Sequence, residues 1–126
     1  MKTIAFFGTV EARSVKTLVC GRLSRPYIFK GLDAKFPSGC ENLVRLRFYI
    51  SPDDSAPASG APSGSSILEE SGQVDYIVGD GDTKRLLHEV IVDFGGTFLK
   101  VYAENNDFWP HGIDVQMYLE ELEAKG

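Results

Sequence analysis

The sequence is poor in the residues from which metal and catalytic sites are usually built. Its 126 residues include only two cysteines and two histidines. Cys20 and Cys40 lack the second pair of ligands that a structural zinc site needs. His88 and His111 lie far apart in the chain and fall short of the histidine-rich set typical of metal enzymes of the cupin kind. The residues therefore predict no metal site and no cofactor.

Recognisable catalytic motifs are also missing. No serine lies in a nucleophile elbow, and the chain has neither a P-loop nor a dinucleotide fingerprint. Asp80-Gly81-Asp82 offers oxygen ligands for calcium, but the rest of an EF-hand loop is missing and the segment is typical of a tight turn. Four carboxylates at strand positions are expected on the wet face of a sheet; they are Asp93, Glu104, Asp114 and Glu120. The sequence predicts a protein that is not an enzyme.

The charge balance and the lengths of the apolar runs argue against further classes of protein. Thirteen basic residues and 18 acidic ones give a net charge of −5, which argues against sequence-independent binding of nucleic acid. No apolar run reaches the roughly 18 to 20 residues that span a bilayer. The apolar run at Met1–Gly8 is too short for a signal peptide and suits a first strand. The expected location is the virion if the chain is viral, and otherwise the cytoplasm.

The state of the two cysteines depends on the compartment. Without a signal peptide, Cys20 and Cys40 are expected to be small buried thiols. A single disulfide between them is the alternative, and it would close a loop of moderate length.

What the sequence does contain is alternation of apolar and polar residues. In Asn42–Ser51, the residues Val44, Leu46, Phe48 and Ile50 share one face, and similar patterns recur in 90–94, 97–104 and 113–119. A period of two buries one face of a strand and wets the other. Seven or eight such segments, separated by turn residues, predict an all-β fold. We expect a single domain over residues 1–126, an antiparallel β-sandwich resembling a jelly roll.

One long segment interrupts the strands. Residues 52–66 consist entirely of serine, proline, glycine, alanine and aspartate. Such a segment buries too little apolar surface to offset its ordering entropy. It is predicted to be a flexible loop inserted between strands, available for contact with a partner.

Two other groups of residues are candidates for binding a partner. Arg45 and Arg47 lie beside Tyr49 on the polar face of their strand, where they form either a contact surface or a solvated face whose arginines cover apolar area. Phe108 and Trp109 lie in the turn that follows Asn105-Asn106-Asp107. These two aromatic side chains either cap the core or lie exposed as an anchor for a protein or a platform for a sugar.

The last third of the chain resembles a known group of proteins. The run from Val90 through Asp93-Phe94-Gly95-Gly96-Thr97 to Asn106, closing with Ile113–Leu119, is similar to the final strands of small jelly-roll virion proteins of tailed phages. Those proteins decorate capsids or form head and tail accessories. The resemblance implies a protein–protein interaction role as a homo-oligomer or on a symmetric shell, and it carries no site residues.

Two functions are therefore expected. The first is a non-enzymatic structural or assembly protein that contacts copies of itself or capsid and tail proteins through Phe108, Trp109, Arg45, Arg47 and Tyr49. The alternative is a lectin-like carbohydrate-binding module, in which Trp109 stacks on a sugar beside the polar groups of Asn105, Asn106 and Asp107.

Overall fold

The computed structural model describes residues 2–56, 62–70 and 76–122. These residues form eight β-strands and one short helical turn. The strands are β1 (Lys2–Val10), β2 (Val15–Val19), β3 (Tyr27–Lys35), β4 (Val44–Ser51), β5 (Ser65–Ser66), β6 (Thr83–Val92), β7 (Phe98–Asn105) and β8 (His111–Glu121), and the helical turn is α1 (Ile67–Glu70).

The strands make two antiparallel sheets of four strands. The first has the order β1-β8-β3-β6, and the second has the order β2-β7-β4-β5. Eight strands distributed between two sheets in this order form a jelly roll. The predicted all-β antiparallel sandwich is confirmed.

Alternation along the strands explains which side chains fill the space between the sheets. Val44, Leu46 and Phe48 of β4 are buried, as the pattern predicts. The facing strand β8 contributes every second residue to the same core, namely Ile113, Val115, Met117 and Leu119.

One local prediction needs revision. The segment 52–66 is not a loop throughout, because Ser65 and Ser66 pair with Ile50 and Tyr49 as β5. Outside the named strands, Ile77 makes an isolated bridge to Leu46.

Both cysteines are free thiols. The disulfide alternative is therefore wrong. The expectation of two buried thiols is confirmed for Cys40, whereas Cys20 is only half-buried. Within residues 2–56, 62–70 and 76–122, no helix has the length and apolarity to cross a bilayer.

Three connections meet at one end of the sandwich. The backbone nitrogen of Arg13, between β1 and β2, donates to the carbonyl oxygen of Asp107, between β7 and β8. The backbone nitrogen of Asn106 donates to the carbonyl of Leu43, which precedes β4. The loop that carries the predicted aromatic pair is therefore bonded to both neighbouring connections.

Candidate binding site at the tip of the β7–β8 loop

The β7–β8 loop is organised around the buried side chain of Asn105. Its amide nitrogen donates to the carbonyl oxygen of Trp109 at 2.7 Å, and to those of Val10 and Glu11 at 3.3 and 3.1 Å. The side chain therefore ties the end of β1 to the far side of the loop. An amide does this well because its nitrogen carries two N–H groups, which can be donated to backbone carbonyls of different segments.

The side-chain oxygen atoms of Asn105 and Asp107 accept hydrogen bonds from backbone groups of the same loop. Asn105 Oδ1 accepts the backbone N–H of Asp107 at 2.9 Å, and Asp107 Oδ1 accepts the backbone N–H of Phe108 at 2.7 Å. These are the short-range turns that Asn and Asp favour, in which the side chain takes the place of a backbone acceptor. The residues just before the aromatic pair are held in one conformation.

The loop presents two large aromatic side chains to solvent. Phe108 is 72% exposed and Trp109 is 71% exposed, so neither side chain caps the core. The guanidinium carbon of Arg13 lies 4.8 Å from the centre of the Phe108 ring, a cation–π contact that also orients Phe108. We call Phe108 and Trp109 the aromatic tip.

A thiol, an imidazole and a carboxylate are aligned beneath the tip. His111 Nε2 lies 2.8 Å from Asp107 Oδ2, and His111 Nδ1 lies 3.6 Å from Cys40 Sγ. Sequence reasoning missed this cluster because Cys40 and His111 are 71 positions apart. Only the pairing of strands and turns brings the two residues together.

The environment of Cys40 is not that of a reactive nucleophile. Its exposed fraction is 1%, and burial raises the pKa of its thiol above the usual 9.0, an effect that the carboxylates of Asp80 and Asp107 reinforce. A nucleophilic cysteine instead has a lowered pKa and an accessible sulfur. His111 holds the pKa of Asp107 below its usual value through their hydrogen bond, so this cluster acts as an internal brace for the loop.

The second predicted contact group is only partly accessible. The side chain of Arg45 is 43% exposed and that of Arg47 is 16% exposed, and Tyr49 is buried. Both arginines approach Glu104 at 3.8 to 3.9 Å. Arg45 and Arg47 also lie 4.7 and 5.5 Å from the centre of the Tyr76 ring. Much of this face is occupied by contacts within the chain.

The flanks of the 52–66 segment cover the same sheet. Lys100 of β7 is fully buried, and its Nζ donates to Asp53 Oδ1 at 3.0 Å. Hydrogen bonds from Ser55, Ser63 and Lys100 lower the pKa of Asp53. Residues 53–55 and 63 are therefore fixed to the sheet, whereas 57–61 lie outside the described residues.

The polar residues proposed for sugar binding have different environments. The side chains of Asn105 and Asp107 are used by the loop itself. Asn106 is exposed beside them. One of the three predicted polar groups is therefore presented to solvent next to Trp109.

The Asp80-Gly81-Asp82 segment is a turn. Gly81 has a φ of 65°, and Asp82 Oδ1 accepts the backbone N–H of Asp80. Asp80 Oδ1 accepts the backbone N–H of Gly39. Across the described ranges, no cluster of His, Cys, Asp and Glu has the arrangement of a metal site.

A cleft of about 360 Å³ lies at the opposite end of the sandwich, beside the start of β7. Its lining includes Ile50, Pro52, Ile91 and Phe94, and none of its lining residues is titratable. The cleft therefore lies between the edges of the two sheets and has no side-chain acid or base in its lining.

No protein-family model matches the chain, and no curated protein sequence matches it. Among solved structures, the fold is similar to the Yersinia pseudotuberculosis-derived mitogen, with a TM-score of 0.52 and 9% identity over 98% of this chain and 90% of that one. Lower scores relate it to TmCBM61 in complex with β-1,4-galactotriose (0.44, 11% identity, 90% and 69% covered) and to Broad Bean Stain Virus (0.47, 11%, 96% and 87%). The similarity to the mitogen shows the fold alone, and the two lower scores carry no inference about function.

Proposed function

We propose that the protein is a non-enzymatic structural or assembly protein that docks on another protein through its aromatic tip. The observation that carries this proposal is the contrast between Phe108 and Trp109, both more than 70% exposed, and the buried Asn105 that holds their loop. Large aromatic side chains dominate the energy of protein interfaces. A tip that is fixed before binding loses less conformational entropy on docking.

The arrangement of polar groups supports protein docking over carbohydrate binding. A sugar site needs polar groups that are free to meet hydroxyls beside the aromatic platform. Of the three polar residues predicted for sugar binding, Asn105 and Asp107 bond within the loop, which leaves Asn106 as the exposed one. The buried thiol of Cys40 supports the non-enzymatic assignment, since a substrate has no access to its sulfur.

The finer proposal is a virion decoration or accessory protein that works as a homo-oligomer or on a symmetric shell. Its support is the resemblance of residues 90–119 to tailed-phage jelly-roll proteins and the jelly-roll strand order. A repeated shell presents many copies of one docking surface, so a small protein with a single tip can cover it regularly.

The double variant Phe108→Ala/Trp109→Ala tests the proposal. Wild type and variant are compared for co-purification with protein particles from the source of the chain, at equal concentration and with circular dichroism as the folding check. We expect a fixed stoichiometry for the wild type and roughly a hundredfold loss of binding for the variant, because two hot-spot side chains are removed. Equal binding by both proteins contradicts the proposal. Binding of oligosaccharides that depends on Trp109 would instead support the carbohydrate-binding alternative.

A further inference from the structure

Strand β6 is a terminal strand of the first sheet. It is ten residues long, and in the part of the chain that the structure describes it pairs with β3 on one side only. A terminal strand has a row of backbone N–H and C=O groups with which another strand can pair. Native proteins commonly keep edge strands short, whereas both edges of this sheet are long, with nine residues in β1 and ten in β6.

The outer face of β6 carries large apolar side chains. Alternation places Arg85, Leu87, Glu89 and Ile91 on the same exposed face. Leu87 is 78% exposed and Ile91 is 69% exposed. The strand continues through the bulge opposite Lys30 without losing this alternation. Charged residues commonly protect an edge from pairing, but here the exposed charges are interleaved with exposed apolar side chains.

The charges on this face are arranged symmetrically about Leu87. Arg85 lies two residues before Leu87 and binds Asp33 of β3 at 2.7 Å. Glu89 lies two residues after Leu87 and binds Lys30 of β3 at 2.8 Å. Strand β6 itself therefore presents a basic side chain on one side of Leu87 and an acidic one on the other, so its own charges are complementary to themselves when the strand is turned by a half rotation.

We propose that β6 pairs with β6 of a second copy of this chain, antiparallel and with Leu87 on the two-fold axis. Arg85 then lies opposite Glu89 of the partner subunit, twice per dimer. Unlike charges directly opposite each other stabilise a strand pair, and like charges destabilise it. Each Arg85 then lies between Asp33 of its own chain and the partner subunit's Glu89, so that negative and positive side chains alternate across the interface between the two β6 strands.

The same charges exclude the neighbouring registers. Sliding the strands to place Arg85 on the axis sets two arginines against each other, and placing Glu89 there opposes two glutamates. The two intermediate registers pair no unlike charges. With Leu86 on the axis, Arg85 lies opposite Leu87 and Glu89 opposite Thr83; with His88 on the axis, Arg85 lies opposite Ile91 and Glu89 opposite Leu87. The register centred on Leu87 alone pairs unlike charges and also brings the two most exposed leucines together. This isologous dimer is independent of the aromatic tip and joins two sandwiches by one continuous sheet.

Light scattering after size exclusion tests the dimer across a range of concentrations. The wild type is expected at twice the 13.9 kDa chain mass. Leu87→Lys places two ammonium groups opposite each other on the two-fold axis, so this variant is expected to be a monomer. The matched control is Phe7→Lys on β1, the other edge strand of the same sheet, where the side chain is 64% exposed; this variant should remain a dimer. A monomeric wild type, or a dimer unaffected by Leu87→Lys, overturns the proposal.

Charge reversal tests the register. Arg85→Glu alone places carboxylates opposite each other between the two β6 strands, and Glu89→Arg alone places guanidinium groups opposite each other. Each variant is therefore expected to be monomeric. An equimolar mixture restores opposite charges at every pair, so we expect a heterodimer. Circular dichroism of each variant confirms that it is folded. Failure of folded variants to combine overturns this register. A dimer lost in Phe108→Ala/Trp109→Ala but kept in Leu87→Lys would place self-association on the aromatic tip instead.

Discussion

The buried amide of Asn105 donates a 2.7 Å hydrogen bond to the carbonyl oxygen of Trp109, whose own indole is among the most exposed apolar groups of the described residues. The side chain of Asn105, at the end of β7, thus fixes the backbone of Trp109, whose indole is exposed. The bond connects the strand pattern to the proposed docking function, because the sheet positions Asn105 and Asn105 positions the aromatic tip.

Asn105→Ala is predicted to destabilise the protein by about 1–3 kcal/mol, because it leaves carbonyl groups at the end of β1 and in the loop without their donor. Asn106→Ala, at an exposed position, is the matched control and should stay within about 0.5 kcal/mol. The free energy of unfolding in urea measures both. Trp109 is the single tryptophan, so its fluorescence anisotropy should fall in the Asn105 variant. Equal stability of the two variants would contradict the anchoring role.

Removing the aromatic tip is predicted to leave folding almost unchanged. Phe108→Ala/Trp109→Ala deletes exposed side chains and one cation–π contact with Arg13, which is worth about 0.5–1 kcal/mol. The free energy of unfolding should therefore fall by about 1 kcal/mol or less. A loss well above about 2 kcal/mol would mean that the two rings pack against the core in solution.

The interaction between Asp107 and His111 predicts a specific pH dependence. The folded protein lowers the pKa of Asp107 below 3.8, so the interaction stabilises the fold above that value and is lost as the pH falls through the folded pKa. Asp107→Asn removes this contribution. Unfolding curves from pH 7 down to pH 2 should therefore show the wild type more stable than the variant at neutral pH, and the difference shrinking below about pH 4. A difference that grows as the pH falls below about 4 would contradict this sign.

Lys100 and Asp53 are predicted to be energetically coupled. Asp53→Ala leaves the ammonium group of a fully buried lysine without its carboxylate, which is costly in an interior. Replacing both residues, as Asp53→Ala/Lys100→Met, removes the unpaired charge. The double variant should be more stable than Asp53→Ala in thermal unfolding, although it lacks one more polar group. Additive losses in this double-mutant cycle would show that the pair is uncoupled.

Much of the fold follows from the alternation of apolar residues, because the period of two decides which side chains are buried. It predicts β4, β7 and β8 with their core positions. The 52–66 segment is harder to predict, since its anchoring depends on Asp53 meeting a lysine from a strand 47 positions away. Composition describes how much apolar surface a segment can bury. It does not show which distant polar groups hold that segment.

The candidate site was predictable only in part. The aromatic pair stands out in the sequence because Phe108 and Trp109 follow three turn-forming residues. Their exposure was not predictable, since a lone tryptophan is usually mostly buried. The brace formed by Cys40 and His111 depends on the contact between two connections. The sequence suggests Asn105 as a polar group for sugar binding, whereas in the structure its amide forms hydrogen bonds inside the loop.

The most direct test of the docking role is photo-cross-linking from position 108 in particles or cells that naturally contain the protein. A photoreactive phenylalanine analogue replaces Phe108, and the same analogue at Phe7 is the control, since Phe7 is similarly exposed on β1. We predict one protein partner, present in repeated copies, that is captured from position 108 and absent from position 7. Capture of the same mixture of proteins from both positions, or no protein adduct from position 108, would contradict the docking role.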